Sequence, residues 1–289
     1  MKPFPFPVRA LGPGSQPAEE DEITGIDMPR DLEVFSMPMV PDVDDRAAAI
    51  ACRDLLLRLL GELTAWNPEV SPQGPRLELT GSPASLIDLV NQMMGEGEVS
   101  IRIVAGGDIR IQESVFTGLW RVREFDGAGQ IAHDRIEAAT MPELVLQTAR
   151  DKTVTKMSEV EVPPEAMNAA AILTEIRAHM ADWLPGKPAH VINLTLLPMG
   201  PADLKVIDLA LGSGPLGMIS RGFGNCHISA TTLRNVWRVQ YYNSMKTLIL
   251  NTVVIVNMPE EALAAAEDLR DTNARLAELI DWIERAWEI

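Results

Sequence analysis

The sequence has few of the side chains that form cross-links or hold metal ions: two cysteines and four histidines among 289 residues. Because Cys52 and Cys226 are the only cysteines, the sequence implies no disulfide framework, and we expect a cytoplasmic protein. C-x-x-C and H-x-x-x-H motifs are absent, and no pair of carboxylates has metal-ligand spacing. We therefore expect no metal site and no cofactor.

Long apolar runs and phosphate-binding loops are missing too. No run reaches the roughly 18 residues of a membrane-spanning helix. The opening segment MKPFPFPVRALGPG lacks the apolar core of a signal peptide. Gly222-Phe223-Gly224 is without the third glycine of a dinucleotide-binding loop, and no G-K-S or G-K-T occurs. We expect neither membrane insertion nor a nucleotide site.

Acidic residues predominate, with a formal net charge of -16 and a pI of about 4.7. This balance argues against nucleic acid and anionic lipid as partners, because both attract cationic surfaces. One stretch is the exception: Leu209–Pro259 has no Asp or Glu but carries Arg221, Arg234, Arg238 and Lys246. Its glycines separate short runs rich in Val, Ile, Leu and aromatics, which predicts a β-meander.

The same stretch has a counterpart 117 residues earlier. Trp120-Arg121-Val122 recurs as Trp237-Arg238-Val239, and Met141-Pro142-Glu143 recurs as Met258-Pro259-Glu260 at the same offset. Two triplets at one fixed spacing indicate an internal duplication. The predicted organisation is a proline-rich extended arm over residues 1–44, a first repeat over 45–155 and a second repeat over 156–289.

Hydrophobic periodicity and turn residues give each repeat a similar order of elements. Helices are predicted at residues 45–66, 84–94, 142–150, 164–183, 202–211 and 259–287. Strands ahead of the meander are predicted at 77–79, 99–104, 109–116, 119–125, 131–138 and 191–197. We interpret each copy as an α-β-α-β-β-β-α unit. The predicted fold class is α+β, with mostly antiparallel sheets, helices on one face and a pseudo-twofold axis.

The last predicted helix is longer than its counterpart in the first repeat. Leu269, Leu276, Leu279 and Ile283 belong to an apolar stripe along it. We expect this stripe to pack across both halves. The alternative is a helix that forms a homodimer or binds a partner.

Cys226 and His227 are adjacent, which suggests a nucleophile and its base, but neighbours on a strand point to opposite faces. The repeat aligns Cys226 with Ile109 and His227 with Arg110. Cys226 is therefore predicted to be a small buried hydrophobe, and His227 to face water or a partner. A reactive cysteine and metal ligation are the alternatives.

The repeated tryptophans, Trp120 and Trp237, are interpreted as core anchors, with Gly222, Gly224 and Cys226 as further structural residues of the motif.

The residues that the second copy does not share with the first are more informative. The matching window of the first copy, residues 92–142, holds eight acidic residues and five arginines. Since the fold accepts that acidic version, the basic, Asn- and Tyr-rich version is predicted to be a partner-binding surface. The alternative is an ordinary solvated face. The candidate residues are Arg221, Phe223, Asn225, His227, Arg234, Asn235, Arg238, Gln240, Tyr241, Tyr242 and Asn243.

The strings GFGNCHISAT, NVWRVQYYNS, LILNT, MPEEALAAAEDL and RDTNARL follow one another between residues 222 and 276. Together they closely resemble the C-terminal conserved region of the HupH/HyaF hydrogenase expression/formation proteins. The resemblance is strong over about 60 residues and weaker over the first repeat, although the chain length and the MPMVP string of the arm also fit.

The resemblance implies an accessory protein for uptake [NiFe] hydrogenases. Members of this family are regarded as assembly factors that act on the hydrogenase small-subunit precursor before its export. They are thought to work beside a thioredoxin-like companion that lacks redox chemistry. The family supplies no established catalytic residues, so none is carried over to this sequence.

Two functions follow from these observations. The first is a non-catalytic chaperone that binds the small-subunit precursor. An acidic chain would gain association rate towards a basic signal sequence, and the local basic block suggests a second contact. The alternative is a thiol-dependent assembly factor or carrier for iron–sulfur or metal centres that uses Cys226. That role needs an exposed thiolate in an electropositive site, so the exposure of Cys226 separates the two.

Overall fold

A computed structural model describes residues 45–222 and 224–289. The proline-rich arm and Phe223 lie outside the described residues. The helices of the described part are α1 (Arg46–Ala65), α2 (Ala84–Met94), α3 (Glu143–Asp151), α4 (Ala169–Asp182), α5 (Pro201–Leu211), a 3-10 turn (Glu260–Ala262) and α6 (Ala266–Trp287). The strands are β1 (Gln73–Glu78), β2 (Val99–Ile103), β3 (Asp108–Glu113), β4 (Leu119–Phe125), β5 (Ile131–Ala139), β6 (His190–Asn193), β7 (Leu216–Ser220), β8 (Asn225–Ala230), β9 (Val236–Tyr242) and β10 (Leu248–Ile255).

All ten strands form one sheet in the order β1-β5-β4-β3-β2-β7-β8-β9-β10-β6. Every neighbouring pair is antiparallel. The α+β class and the antiparallel pairing are therefore confirmed. Counted inward from its outer edge, each half has its strands in the same order, and the halves join where β2 meets β7.

The seam between the halves is itself symmetric. β2 runs antiparallel to β7, and Ile101 pairs with Met218. These two residues are separated by the 117-residue repeat spacing, so the axis that relates the halves passes through this pair. The shared strand order supports the duplication, but common descent of the halves stays a prediction, which superposition of residues 50–150 on 167–267 tests.

The two repeated tryptophans make matching contacts. Trp120 is fully buried, and its Nε1 donates to the carbonyl of Ala139 at 2.9 Å. Trp237 is 2% exposed, and its Nε1 donates to the carbonyl of Val256 at 3.0 Å. Both rings lie in one apolar cluster on the same side of the sheet. A buried indole needs such a partner for its N–H, and both halves supply it at the same place.

The repeat unit differs from its predicted formula in one respect. Four strands rather than three follow the second helix of each half, β2 to β5 in the first and β7 to β10 in the second. The first four correspond to the strands predicted at residues 99–104, 109–116, 119–125 and 131–138. The strand predicted at residues 77–79 is longer and begins at Gln73.

Helices lie on both faces of the sheet, not on one. α1 and α2 pack with Leu119 and Ile136 at one end of the sheet, and α4 and α5 pack with Val236 and Val253 at the other. Strand alternation and the cross-strand pairs place these four residues on one face. α3 and the 3-10 turn pack on the opposite face, with the two tryptophans.

α4 begins at Ala169, five residues later than predicted. The carboxylate of Asp203, on α5, accepts hydrogen bonds from the backbone N–H groups of Asn168 and Ala169 at 2.7 and 2.8 Å. A side chain distant in sequence therefore satisfies the first N–H groups of α4 and fixes where the helix starts.

The final helix was predicted to be continuous from Pro259, and this is wrong. A 3-10 turn ends at Ala262, and α6 begins only at Ala266. Between them the N–H of Ala264 donates to the carbonyl of Thr140 at 3.0 Å, which ties the break to the first half. The apolar stripe of α6, with Leu276, Leu279 and Ile283, then packs on α1, so the second half covers the first. Among the described helices, none has the length and apolarity needed to cross a membrane.

Candidate functional site

The helices at the two ends of the sheet leave polar side chains of its central strands outside the apolar clusters. We call this surface the central polar face. All of its residues are exposed or half-buried. The first half contributes Arg102, Arg110, Gln112 and Arg123, and the second half contributes Asn225, His227, Gln240 and Tyr242, with the apolar Ile219 among them.

On the second-half side of this face, strand alternation brings polar side chains of β8 and β9 together. His227 on β8 lies opposite Gln240 on β9, and Asn225 lies opposite Tyr242. The rings of His227 and Tyr242 are 4.8 Å apart between centroids and tilted by 50°. The hydroxyl of Tyr242 donates to Oε1 of Gln240 at 3.5 Å. Amides and aromatic rings therefore stand together on two rigid neighbouring strands.

The second-half side carries no formal charge near neutral pH. Burial, followed by the nearby Arg221 guanidinium, lowers the pKa of His227, because both disfavour the imidazolium. Burial raises the pKa of Tyr242, so its phenol keeps its proton. This side of the face can donate and accept hydrogen bonds and can stack, but it offers a partner no net charge.

The first-half side is ionic at the matching positions. Nε of Arg102 is 2.9 Å from the carboxylate of Asp108, and Nη2 of Arg110 is 3.1 Å from it. Burial opposes ionisation of Asp108, but the hydrogen bonds from the two guanidiniums outweigh it and lower the pKa of the carboxyl. Arg110 also stands 4.6 Å from the centre of the Phe125 ring. Arg110 and Phe125 are the repeat counterparts of His227 and Tyr242, so a cation–π pair is replaced by a pair of neutral rings.

Arg238, a predicted partner-binding residue, is 3% exposed. Its Nε donates to Oδ1 of Asn251 at 2.6 Å, and its Nη1 is 3.3 Å from the carboxylate of Asp208 on α5. Its counterpart Arg121 is paired with Asp134 on the neighbouring strand, Nη2 to Oδ2 at 2.7 Å. In this structure Arg238 therefore binds α5 to the sheet and is not accessible to a partner.

Asn235 occupies a backbone position that favours glycine. Its φ is 61°, and its repeat counterpart Gly118 has φ 78°. The carbonyl of Asn235 accepts the N–H of Val256 at 2.8 Å, and that of Gly118 accepts the N–H of Ala139 at 2.9 Å. Asparagine tolerates this left-handed conformation better than most residues, which gives Asn235 a structural reason to be present.

The remaining candidate residues are divided among three places. Arg221 and Asn243 lie with Asn225 and Tyr242 at one end of the strands, whereas Arg234 lies at the other end, beside Asn235. Tyr241 points to the opposite face, where its hydroxyl donates to Glu261 at 2.9 Å. The basic block of the sequence thus does not form one basic patch, because Arg238 is buried and Arg221 and Arg234 lie at opposite ends of the strands.

Of the two structural glycines, Gly222 lies against the carboxylate of Glu98, an exposed side chain that would have to move to admit a Cβ. Gly224 is required by its backbone, with φ 89°. Both lie in the turn between β7 and β8, which positions Arg221 and Asn225.

Cys226 is fully buried in the cluster that contains Trp237. Burial raises the pKa of its thiol to about 12, although a hydrogen bond with Tyr241 acts in the other direction. The thiol of Cys52 is also fully buried, and burial raises its pKa to about 12. Neither thiol is a nucleophile near neutral pH, since reactivity requires the thiolate.

We expect neither thiol to react with Ellman's reagent at pH 8 in the native protein, and two thiols to react after denaturation. Cys226→Val should fold, because valine suits a small apolar site. Rapid labelling of one native thiol that disappears in Cys226→Val would contradict this expectation.

One cluster was missed by sequence reasoning. Glu175 and His179 on α4 and His190 on β6 place ligand-type atoms within 4.8 Å of one another. The expectation of no metal site rested on H-x-x-x-H and paired carboxylates. Glu175-x-x-x-His179 has the same helical spacing with one carboxylate and one imidazole, and the third member comes from a strand.

Comparison with known proteins gives a consistent result. The family model described as the C-terminal conserved region of the HupH hydrogenase expression protein matches residues 50–160 and again residues 166–283. The chain is 42% identical to hydrogenase expression/formation protein HoxQ of Cupriavidus necator, covering 98% of this chain and 99% of that protein. It is 38% identical to HupH of Rhodobacter capsulatus, covering 97% and 98%.

More distantly related hydrogenase proteins also match. The Hydrogenase-1 operon protein HyaF of Escherichia coli is 33% identical, covering 96% of both chains. A solved structure, the hydrogenase expression protein HupH of Thiobacillus denitrificans, is 25% identical and covers 38% of this chain and 92% of its own, with a TM-score of 0.36.

Proposed function

Because this chain belongs to the HupH family of hydrogenase expression/formation proteins, we propose that it binds the hydrogenase small-subunit precursor through its central polar face. Its general role is accessory to hydrogenase maturation. In the proposed mechanism it is a chaperone: it contacts the precursor before export and does no chemistry on it.

The observation that carries the proposal is the difference between the two sides of the central polar face. On the first half the side chains are ionic, and Arg102 and Arg110 both contact the carboxylate of Asp108. On the second half His227, Gln240 and Tyr242 are neutral, and within the described part of the chain they contact one another. Tyrosine and other residues that combine an aromatic surface with hydrogen bonding are typical of interface centres.

An exposed apolar edge adjoins this side. The hairpin between β9 and β10 leaves the side chains of Met245, Leu248 and Ile249 exposed, and Leu248 pairs with Tyr242 across the strands. Apolar side chains that protrude together beside a polar surface are common at protein-binding sites. The contact that we propose therefore extends from Gln240 and Tyr242 to the tip of this hairpin.

Charge supports the choice of the precursor as the partner. The chain carries a formal net charge of -16, so a basic signal sequence would be attracted at long range and associate faster. The thioredoxin-like companion is proposed as a second partner. A homodimer through α6 is not favoured, because Leu276, Leu279 and Ile283 are already buried against α1.

The alternative role, a carrier that uses Cys226 as a thiolate, has no observation in its favour. It requires an accessible thiolate, whereas the thiol is fully buried and burial raises its pKa to about 12.

A pull-down with purified full-length chain tests the proposal. We expect it to capture the small-subunit precursor, and to capture less of the same subunit without its signal peptide. An unrelated precursor with a signal peptide of similar charge serves as the control and should not be retained. Failure to capture either form of the small subunit would overturn the proposal.

A further inference from the structure

The cluster formed by Glu175, His179 and His190 lies outside the central polar face. Glu175 and His179 are four residues apart on α4 and therefore project from the same side of the helix. His190 is the first residue of β6, the outer strand of the sheet. Nε2 of His190 is 2.8 Å from Oε1 of Glu175, and the two imidazole rings are stacked with centroids 3.3 Å apart and planes within 9°.

From this geometry we propose that Glu175, His179 and His190 bind one divalent first-row transition-metal ion, such as Zn²⁺, Co²⁺ or Ni²⁺. Two imidazole nitrogens and one carboxylate oxygen are ligands that these ions accept, and three protein ligands leave further positions for water or a partner. The proposal is independent of the proposed partner binding.

A simple hydrogen bond does not explain the cluster. The contact between Glu175 and His190 accounts for two of its members. It leaves out His179, whose imidazole is stacked face to face on that of His190. With the two rings tilted apart, an ion between the three side chains would accept a lone pair from each ring.

The first half of the chain provides an internal comparison. The repeat counterparts of the three residues are Arg58, Glu62 and Gln73. Arg58 and Glu62 form an i,i+4 ion pair on α1, Nε to Oε1 at 3.2 Å. The scaffold alone therefore requires no imidazole at these places: the first half has an ion pair where the second half has a carboxylate and an imidazole.

The scaffold holds the ligands on packed elements and still admits an ion. Ile172 and Ile176 bury the other side of α4, and β6 is hydrogen-bonded to β10. The side chains of His190 and Glu175 are 32% and 44% exposed, so the site is accessible from solvent. Since lone pairs lie in the ring planes, parallel rings do not point at one ion, and we expect binding to tilt the two rings apart.

Titration of the tag-free, EDTA-treated full chain with Co²⁺ and with Zn²⁺ tests the site. Co²⁺ binding is followed by its visible absorption, and Zn²⁺ binding by calorimetry. We expect one ion per chain, and about tenfold or more weaker binding in His179→Ala and in His190→Gln. The second variant introduces the residue that the first half already has at this position.

His133→Gln is the matched control, since His133 is an exposed histidine on β5, outside the cluster. It should bind the ion as the wild type does, and all three variants should melt within a few degrees of the metal-free wild type. A variant that melts lower is replaced by Glu175→Gln, which keeps the size of the side chain. The proposal is overturned if no saturable binding is found, or if His190→Gln and His133→Gln bind alike.

Discussion

Replacement of Trp237 with alanine is expected to lower the free energy of unfolding by about 3–5 kcal/mol, the usual cost of truncating a buried tryptophan. The side chain is 2% exposed, lies in the apolar cluster beneath the central strands, and donates a hydrogen bond to the carbonyl of Val256. Truncation would leave a cavity and an unpaired carbonyl. A loss of this size is a large part of the roughly 5–15 kcal/mol that stabilises a domain.

Urea unfolding at one pH measures this effect, and two other tryptophans calibrate it. Trp120→Ala should cost about as much, because Trp120 is fully buried and bonded to Ala139 in the same way. Trp183→Ala should cost clearly less, since that ring is only half-buried. If Trp237→Ala cost no more than Trp183→Ala, the structural role of the repeated tryptophans would be wrong.

The second large effect concerns Glu113 and depends on pH. Its side chain is nearly enclosed, with 6% of the residue exposed. Burial raises the pKa of the carboxyl from 4.5 to about 7, against the hydrogen bond from the N–H of Gly118, and the charges of Glu98 and Asp268 add to the rise. Between about pH 4.5 and pH 7 the carboxyl is therefore protonated in the folded chain and ionised in the unfolded chain. The stability that this proton provides is complete below about pH 4.5 and is lost as the pH rises through about 7.

The gap between the two pKa values corresponds to about 3 kcal/mol of stability lost from acidic to alkaline pH. Glu113→Gln removes the titration and keeps the shape of the side chain. Relative to the wild type, the variant should gain about 3 kcal/mol between pH 4.5 and pH 8. Urea unfolding at both pH values measures this gain, and contributions such as that of His227 cancel in the difference. An equal effect of the substitution at both pH values would contradict the account.

Local signals in the sequence were enough to predict most of the elements, although the break before α6 was missed. The bounds of α2 and β4 were predicted without error, because a proline before α2 and turn residues around β4 mark their ends. The way in which the elements assemble was harder to predict from the sequence. The repeat indicated two similar halves, but that β2 and β7 would join them into one sheet depends on pairing between distant segments, which no local pattern records.

The candidate site was also predictable where it depends on local pattern and not where it depends on tertiary packing. Strand alternation alone placed Cys226 and His227 on opposite faces, with Cys226 buried, and the structure has this arrangement. The burial of Arg238 depends on the packing of α5 and its Asp208 over the sheet. The basic patch predicted from the sequence is therefore divided in the structure.

The cluster of Glu175, His179 and His190 could not be predicted from the sequence for a related reason. Glu175 and His179 are visible in the sequence as a helical pair, but a pair is not a site. His190, the third member of the cluster, reaches them only because β6 lies at the edge of the sheet next to α4, which puts His190 beside a residue fifteen positions earlier. Periodicity places residues within an element, and tertiary packing decides which elements meet.

The most direct test of the central claim is the affinity of the full-length chain for the small-subunit precursor when Gln240 and Tyr242 are replaced by their first-half counterparts, Arg123 and Phe125. The double variant Gln240→Arg/Tyr242→Phe should keep its melting temperature within a few degrees, since the same fold already accepts these side chains. Gln147→Arg, an exposed position on α3 at the opposite face, is the control for added charge. We predict that the double variant binds the precursor about tenfold or more weakly, a loss of about 1.4 kcal/mol or more, while the control binds as the wild type does. Equal affinity of the double variant and the wild type would show that the central polar face is not the binding surface.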